Sequence, residues 1–92
     1  MIQSFKHKGL RRFFESGDTS KINPNYAKRL RLILTALHAA VDVKNLDVPG
    51  FGLHRLTGDK KDFWAVRVSG NWRLIFRFEN GETYDVDYLD YH

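Results

Sequence analysis

The dipeptide Asn80-Gly81 lies between two stretches that alternate in character, and it constrains this chain more than any other feature. A two-residue hairpin loop needs positive φ at both central positions, which asparagine and glycine accept with least strain. Residues 72–78 (Trp-Arg-Leu-Ile-Phe-Arg-Phe) and 83–89 (Thr-Tyr-Asp-Val-Asp-Tyr-Leu) flank it. They read as two antiparallel strands. Closing the loop places Glu79 opposite Glu82. Regular pairing then sets Arg77 opposite Tyr84, Ile75 opposite Val86 and Arg73 opposite Tyr88, all on one face. Trp72, Leu74, Phe76 and Phe78 fall on the other face with Thr83, Asp85, Asp87 and Leu89. The face holding Trp72, Leu74, Phe76 and Phe78 is expected to pack on helices, leaving the face with two arginines and two tyrosines open. The side-chain period is two, so a slip of one residue exchanges the faces.

Upstream, residues 51–56 predict a short strand, and residues 63–69 alternate with Trp64, Val66 and Val68 opposed to Ala65 and Arg67. Gly70-Asn71 makes a tight reversal before residue 72. Earlier in the chain the period changes. In residues 6–16, Leu10, Phe13 and Phe14 recur at helical spacing and Gly17 follows as a stop. Asn23 and Pro24 mark a second helix start. Tyr26, Leu30, Ile33, Leu34, Leu37 and Val41 form its apolar stripe. Residues 2–5 suggest another short strand without fixing its neighbour. Ninety-two residues hold a single domain spanning 1–92. The expected class is α+β, with two N-terminal helices packed on one face of a small antiparallel sheet.

Composition removes whole classes of function. The chain has no cysteine, which excludes a disulfide scaffold, a thiolate zinc site and a thiol nucleophile. No apolar run approaches the roughly 20 residues of a membrane span. The first residues lack the apolar core of a signal peptide, so the expected address is the cytoplasm. The four histidines (His7, His38, His54 and His92) have no helical zinc spacing, so no metal is expected. Phosphate-binding glycine loops and the Gly-x-Ser-x-Gly elbow are also absent. Charge is distributed unevenly. Residues 1–40 carry eight basic side chains against two acidic ones, and residues 41–78 carry seven against four. Residues 79–92 hold five acids and no lysine or arginine. A basic body suits a polyanionic partner. The acidic end either pairs with the chain's own basic strands or acts locally.

His38 near the end of the second helix reads as a surface or dipole-facing histidine, and His7, between Lys6 and Lys8, as phosphate-facing or idle. His54, Arg67, Arg73, Tyr91 and His92 belong to the strand half, where one sheet face can collect them. RNA is cut without metal when its own 2′-OH attacks the adjacent phosphate. That step needs a base, an acid for the departing 5′ oxygen, and cations for the phosphorane. Imidazole serves as base or acid, and guanidinium holds phosphate with two parallel bonds. At His92 the adjoining α-carboxylate and Asp90 would favour the imidazolium, poising that ring for proton transfer.

Several segments together resemble the HigB family of toxins in the RelE/ParE superfamily. They are residues 1–10 (Met-Ile-Gln-Ser-Phe-Lys-His-Lys-Gly-Leu), Leu53-His54-Arg55-Leu56-Thr57-Gly58-Asp59, Phe63-Trp64-Ala65-Val66, Asn71-Trp72-Arg73-Leu74-Ile75-Phe76 and Asp90-Tyr91-His92. The resemblance implies a ribosome-dependent endoribonuclease of a type II toxin–antitoxin system that cuts mRNA in the A site and arrests translation. It also implies a helix-turn-helix antitoxin of the HigA type as partner. Arg73 would stabilise the transition-state phosphate, His54 would sit beside the scissile bond, and Tyr91 and His92 would move protons or orient the message. Asn71 would touch codon bases and Asp90 would orient His92. Strand geometry adds Arg67. Relatives often have lysine where this chain has Thr57, so either Lys60 or Lys61 from the next loop supplies the missing cation or activity is lower. Lys6, Lys8, Arg11, Arg12, Lys28, Arg29 and Arg31 would form the ribosomal-RNA footprint. Two other readings are a toxin of the same fold acting on DNA gyrase, as ParE-like members do, and an RNA-binding module without cleavage.

Overall fold

Asn80 and Gly81 take φ of 51° and 78°, as the two-residue turn requires. They join β3 (Trp72–Glu79) to β4 (Glu82–Asp90), with Glu79 opposite Glu82. The computed structural model describes residues 1–90; the expectations for Tyr91 and His92 fall outside the described residues. Two further strands, β1 (His54–Arg55) and β2 (Trp64–Ser69), complete an antiparallel sheet in the order β1-β2-β3-β4. The strand expected over 51–56 is thus confined to two residues. Phe51 is drawn instead into the core, and its carbonyl accepts the Arg67 amide at 2.7 Å.

Residues 2–5 run parallel to β4 as two isolated bridges, Ile2 with Thr83 and Phe5 with Val86. The Gln3 and Lys6 amides donate to the carbonyls of Thr83 and Val86, and the Thr83 and Val86 amides donate back to Met1 and Ser4. His38 is not an idle surface histidine. Its Nδ1 accepts the Ile2 amide at 3.2 Å and its ring packs 5.3 Å from Phe14, tying this segment to the helix layer.

The regular hairpin pairing holds only near the turn. Arg77 faces Tyr84, but Ile75 pairs with Asp87, Leu74 with Tyr88 and Arg73 with Leu89. The cause is a β-bulge at Asp85, which has a φ of 55°. An added residue on one strand reverses the parity of everything beyond it. Val86 and Tyr88, expected on the open face, therefore turn into the core at 0% and 7% exposure. Asp87 and Leu89 take their places outside. The Ser4 hydroxyl accepts the Asp85 amide at 2.9 Å and reaches its carboxylate at 3.3 Å, while Arg77 Nε donates to the other carboxylate oxygen at 2.9 Å.

Helix α1 (Lys8–Ser16) starts after His7, whose Nδ1 accepts the Leu10 amide at 2.9 Å. His7 is therefore the N-cap, satisfying an otherwise orphaned amide, and is not idle. Gly17 ends the helix at φ 78°, with its amide on the Phe13 carbonyl. Asn23 caps a 3-10 turn (Pro24–Tyr26) that leads into α2 (Ala27–Ala39), so the α-helix itself starts three residues later than Pro24. Leu30, Ile33, Leu34 and Leu37 of α2 are buried as expected. Val41 does not extend that stripe. The chain turns extended at Ala40 (ψ 134°), leaving Val41 76% exposed. The main core joins Leu10, Phe13 and the α2 stripe to Val66, Val68, Leu74, Phe76 and Val86. On the other face Leu56, Ala65 and Ile75, flanked by Phe63 and Leu89, make a smaller apolar floor. Among the described residues no helix is long and apolar enough to cross a membrane.

Two predictions follow from this packing. Gly9 is buried in α1, and a Cβ there would lie closer to Lys21 Cβ than two carbon atoms approach. Because Lys21 Cβ is fixed to the backbone, Gly9→Ala should destabilise by about 1–3 kcal/mol despite alanine's helix propensity, measured by urea unfolding. Burial, and secondarily the phenol of Tyr26, pushes the Tyr88 phenol above its ordinary value of 10.0. The folded state then holds that proton more tightly than the unfolded state, so this contribution is complete below pH 10 and fades as pH rises beyond it. Tyr88→Phe should flatten the fall in the urea midpoint as pH rises above 10.

Candidate functional site

Strand register sorts the candidate residues. His54, Ala65, Ile75 and Asp87 form one cross-strand row, and Arg67, Arg73 and Leu89 form the next on the same face. Paired residues in antiparallel strands project to the same side. His54, Arg67 and Arg73 therefore share the open face, above the floor of Leu56, Ala65 and Ile75. Trp72, between Asn71 and Arg73, points the other way and stacks 4.7 Å from Tyr88 beneath the helices. Alternation makes the Asn-Trp-Arg motif do two jobs: the indole anchors the strand and the guanidinium faces out.

His54 is exposed, and its Nδ1 lies 2.9 Å from the Gly52 carbonyl. A carbonyl can only accept, so Nδ1 carries the proton and Nε2 of the neutral ring keeps its lone pair. Arg73 Nη1 donates to the carbonyls of Gly70 (2.6 Å) and Trp72 (3.0 Å), folding the side chain against the β2–β3 turn. Asn71 is exposed in that same turn. Lys60 lies over the Phe63 ring at 5.8 Å, at the border of the apolar floor. Lys61 is exposed, and its carbonyl accepts Arg55 Nε at 2.9 Å. Asp90 pairs with Trp72, which puts it on the side of the sheet away from Arg73.

The acidic end of the chain is spent largely on neighbours. Arg77 shares the open face but is held by Asp85 and by Glu79 at 2.6 Å; the Asp85 bond leads in raising its pKa further. Glu82 accepts from Gln3 Nε2 at 2.7 Å and from the N-terminal ammonium at 3.1 Å, which lower its pKa in that order. Arg77 is thus compensated by acids, whereas the Arg73 bonds go to neutral carbonyls. Asp87 is the acid in the His54 row, and its Oδ1 accepts the Tyr88 amide at 2.9 Å.

The basic side chains expected as an RNA footprint lie on the helix layer and the segment leading into it. Lys6, Lys8, Arg11, Arg12, Lys28 and Arg31 are exposed. Arg11 pairs with Glu15 at 3.2 Å, and Arg31 covers the Phe13 ring at 5.2 Å. Arg29 is half-buried, unlike the other six. It donates to the carbonyls of Gly50 and Arg67 and lies 5.3 Å from the Phe51 ring centroid, so its side chain is tied to neighbouring segments of the chain. Pattern reading missed the Gly52 carbonyl as well. Its only trace in the sequence is the Pro49-Gly50-Phe51-Gly52 turn.

The model for the RelE-like toxin HigB of type II toxin–antitoxin systems matches residues 3–92. The chain belongs to the HigB-like toxin family. Endoribonuclease HigB of Proteus vulgaris is 41% identical over 92 residues, covering all of both chains. Toxin HigB-1 of Vibrio cholerae is 32% identical over 96 residues, covering 100% of this chain and 98% of its own. The solution structure of a conserved hypothetical protein from Helicobacter pylori aligns with TM-score 0.51 at 16% identity, covering 96% of this chain and 94% of the other, a likeness of fold.

Within this HigB-like chain, Thr57 is exposed at the N-cap of a 3-10 turn (Gly58–Lys60), and its side chain makes no capping bond. Thr57→Lys should therefore leave stability within about 0.5 kcal/mol of the parent by thermal denaturation. It should raise or preserve RNA cleavage; a large loss of cleavage with stability intact would count against a cationic role for this position.

Proposed function

We propose that this chain is a toxin that cleaves mRNA in the ribosomal A site and halts translation. The observation that carries the reading is the joint placement of His54, Arg67 and Arg73 on one open sheet face, with His54 Nε2 left able to accept a proton. A codon strand laid across that face would have its scissile phosphate held by Arg73 and Arg67. His54 Nε2 would take the proton from the 2′-OH. The 2′ oxygen bonds to phosphorus, the bond to the 5′ oxygen breaks, and an acid protonates that leaving oxygen. Tyr91 and His92 are the acids we assign. The products are a 2′,3′-cyclic phosphate and a free 5′-OH, and the step calls on no metal. Lys60 and Lys61 would hold flanking phosphates in place of a cation at position 57, Asn71 would read a base edge, and Asp90 would orient the chain end.

Lys6, Lys8, Arg11, Arg12, Lys28 and Arg31 would grip ribosomal RNA from the helix side, so that the sheet face meets the message. The endoribonuclease name of the Proteus vulgaris relative supports the chemistry, and the family's toxin–antitoxin membership supports an antitoxin partner. We take that partner to be a helix-turn-helix protein of the HigA type that keeps the toxin off ribosomes in the cytoplasm.

Primer extension after brief induction tests the reading. Cuts should appear inside translated frames, and Arg73→Ala should reduce them roughly 10²–10³-fold, as for loss of one oxyanion contact. Undiminished cutting by Arg73→Ala, or equal cutting of ribosome-free RNA, overturns it.

A further inference from the structure

The segment Gly50-Phe51-Gly52 lies between α2 and the site, and Arg29 fastens it there. Arg29 Nη2 donates to the Gly50 carbonyl at 2.5 Å and to the Arg67 carbonyl on β2 at 3.0 Å. Its guanidinium also covers Phe51, whose carbonyl takes the Arg67 amide at 2.7 Å. The next residue, Gly52, presents its carbonyl to His54 Nδ1 at 2.9 Å and lies against the Arg67 side chain, where an added Cβ would be 3.9 Å from Arg67 Cβ. A single cation on the helix layer thus holds both the strand backbone under Arg67 and the loop whose carbonyl sets the His54 proton.

We infer that Arg29 is a positioning residue for the nuclease site: it clamps the 50–52 loop so that the Gly52 carbonyl keeps the His54 proton on Nδ1 and leaves Nε2 facing the RNA. This role rests on the function proposed above and replaces the ribosomal contact expected from the sequence. The tautomer of a histidine ring is set by the hydrogen bonds its nitrogens make, so a loosened carbonyl changes which nitrogen carries the proton. The guanidinium suits the place because its fork of N–H donors reaches two carbonyls while the group stays within 5.3 Å of the Phe51 ring centroid; a compact ammonium matches that arrangement less well.

The test uses the purified full chain. Nitrogen-15 NMR of the His54 ring, recorded as pH is raised until the ring shifts no longer change, reports the tautomer of the neutral ring directly. The parent should show protonated Nδ1 and bare Nε2, Arg29→Met should shift the ring toward protonated Nε2, and Arg29→Lys should shift it less. Gly9→Ala, destabilised within α1, should keep the parent tautomer. On saturating translating ribosomes the single-turnover cleavage rate of Arg29→Met should fall roughly 10–100-fold, as for a misplaced catalytic group, with ribosome affinity within about twofold. An unchanged tautomer overturns the proposal. So does a loss confined to ribosome affinity with the salt slope reduced by about one, since that marks a phosphate contact. If the tautomer shifts while the parent cuts no message, the clamp stands and the nuclease reading falls.

Discussion

The bulge at Asp85 is the constraint on which the rest of the molecule depends. Without it, regular pairing from the Asn80-Gly81 turn would send Val86 and Tyr88 to solvent and bring Asp87 and Leu89 under the helices. With it, β4 covers the core with Val86 and Tyr88 and completes the apolar floor with Leu89. A non-glycine residue at φ 55° is strained, and its surroundings must compensate. Three separate segments do so: Ser4 from the N-terminal edge, Arg77 from β3, and the flanking pairs of β4 itself. The first residues of the chain therefore help to set the register of the last strand.

The second theme is the use of backbone carbonyls to place functional side chains. His54 is oriented by Gly52, Arg73 by Gly70 and Trp72, and Arg29 by Gly50 and Arg67. Glycine recurs at these points because each turn takes positive φ, between 54° and 89° at Gly50, Gly52 and Gly70. Neutral acceptors orient a cation without cancelling its charge. Arg77 shows the contrast, since Asp85 and Glu79 compensate it and leave it a structural role. Within one sheet face, partner choice separates an arginine that holds the fold from arginines suited to a phosphate.

Much of the architecture was legible in local patterns. The stripe of Leu30, Ile33, Leu34 and Leu37, the Gly17 stop, the Asn23-Pro24 start and the hairpin turn are written in short stretches whose physics is local. The alternation of Val66 and Val68 against Ala65 and Arg67 was equally plain. Residues 83–89 were not, because acids and large apolar side chains interleave there and neither parity leaves a clean face. The capping role of His7 and the bridging role of His38 were hidden for a different reason. Both depend on amides brought to them by backbone geometry, and no residue-type pattern announces an amide.

The sequence alone determined that this is an α+β chain with a basic body, an imidazole and two guanidiniums on its strands, and motifs of the HigB family. These follow from period, turn chemistry and residue type, which act over a few positions. Tertiary structure alone decided that His54, Arg67 and Arg73 share a face, that Tyr88 belongs to the core, and that Arg29 ties the 50–52 loop to β2. The shared face comes from the pairing of β1, β2 and β3, the burial of Tyr88 from one inserted residue in β4, and the Arg29 contacts from carbonyls of distant segments. Each rests on contacts between separate segments of the chain, and only folding brings such parts within hydrogen-bonding range.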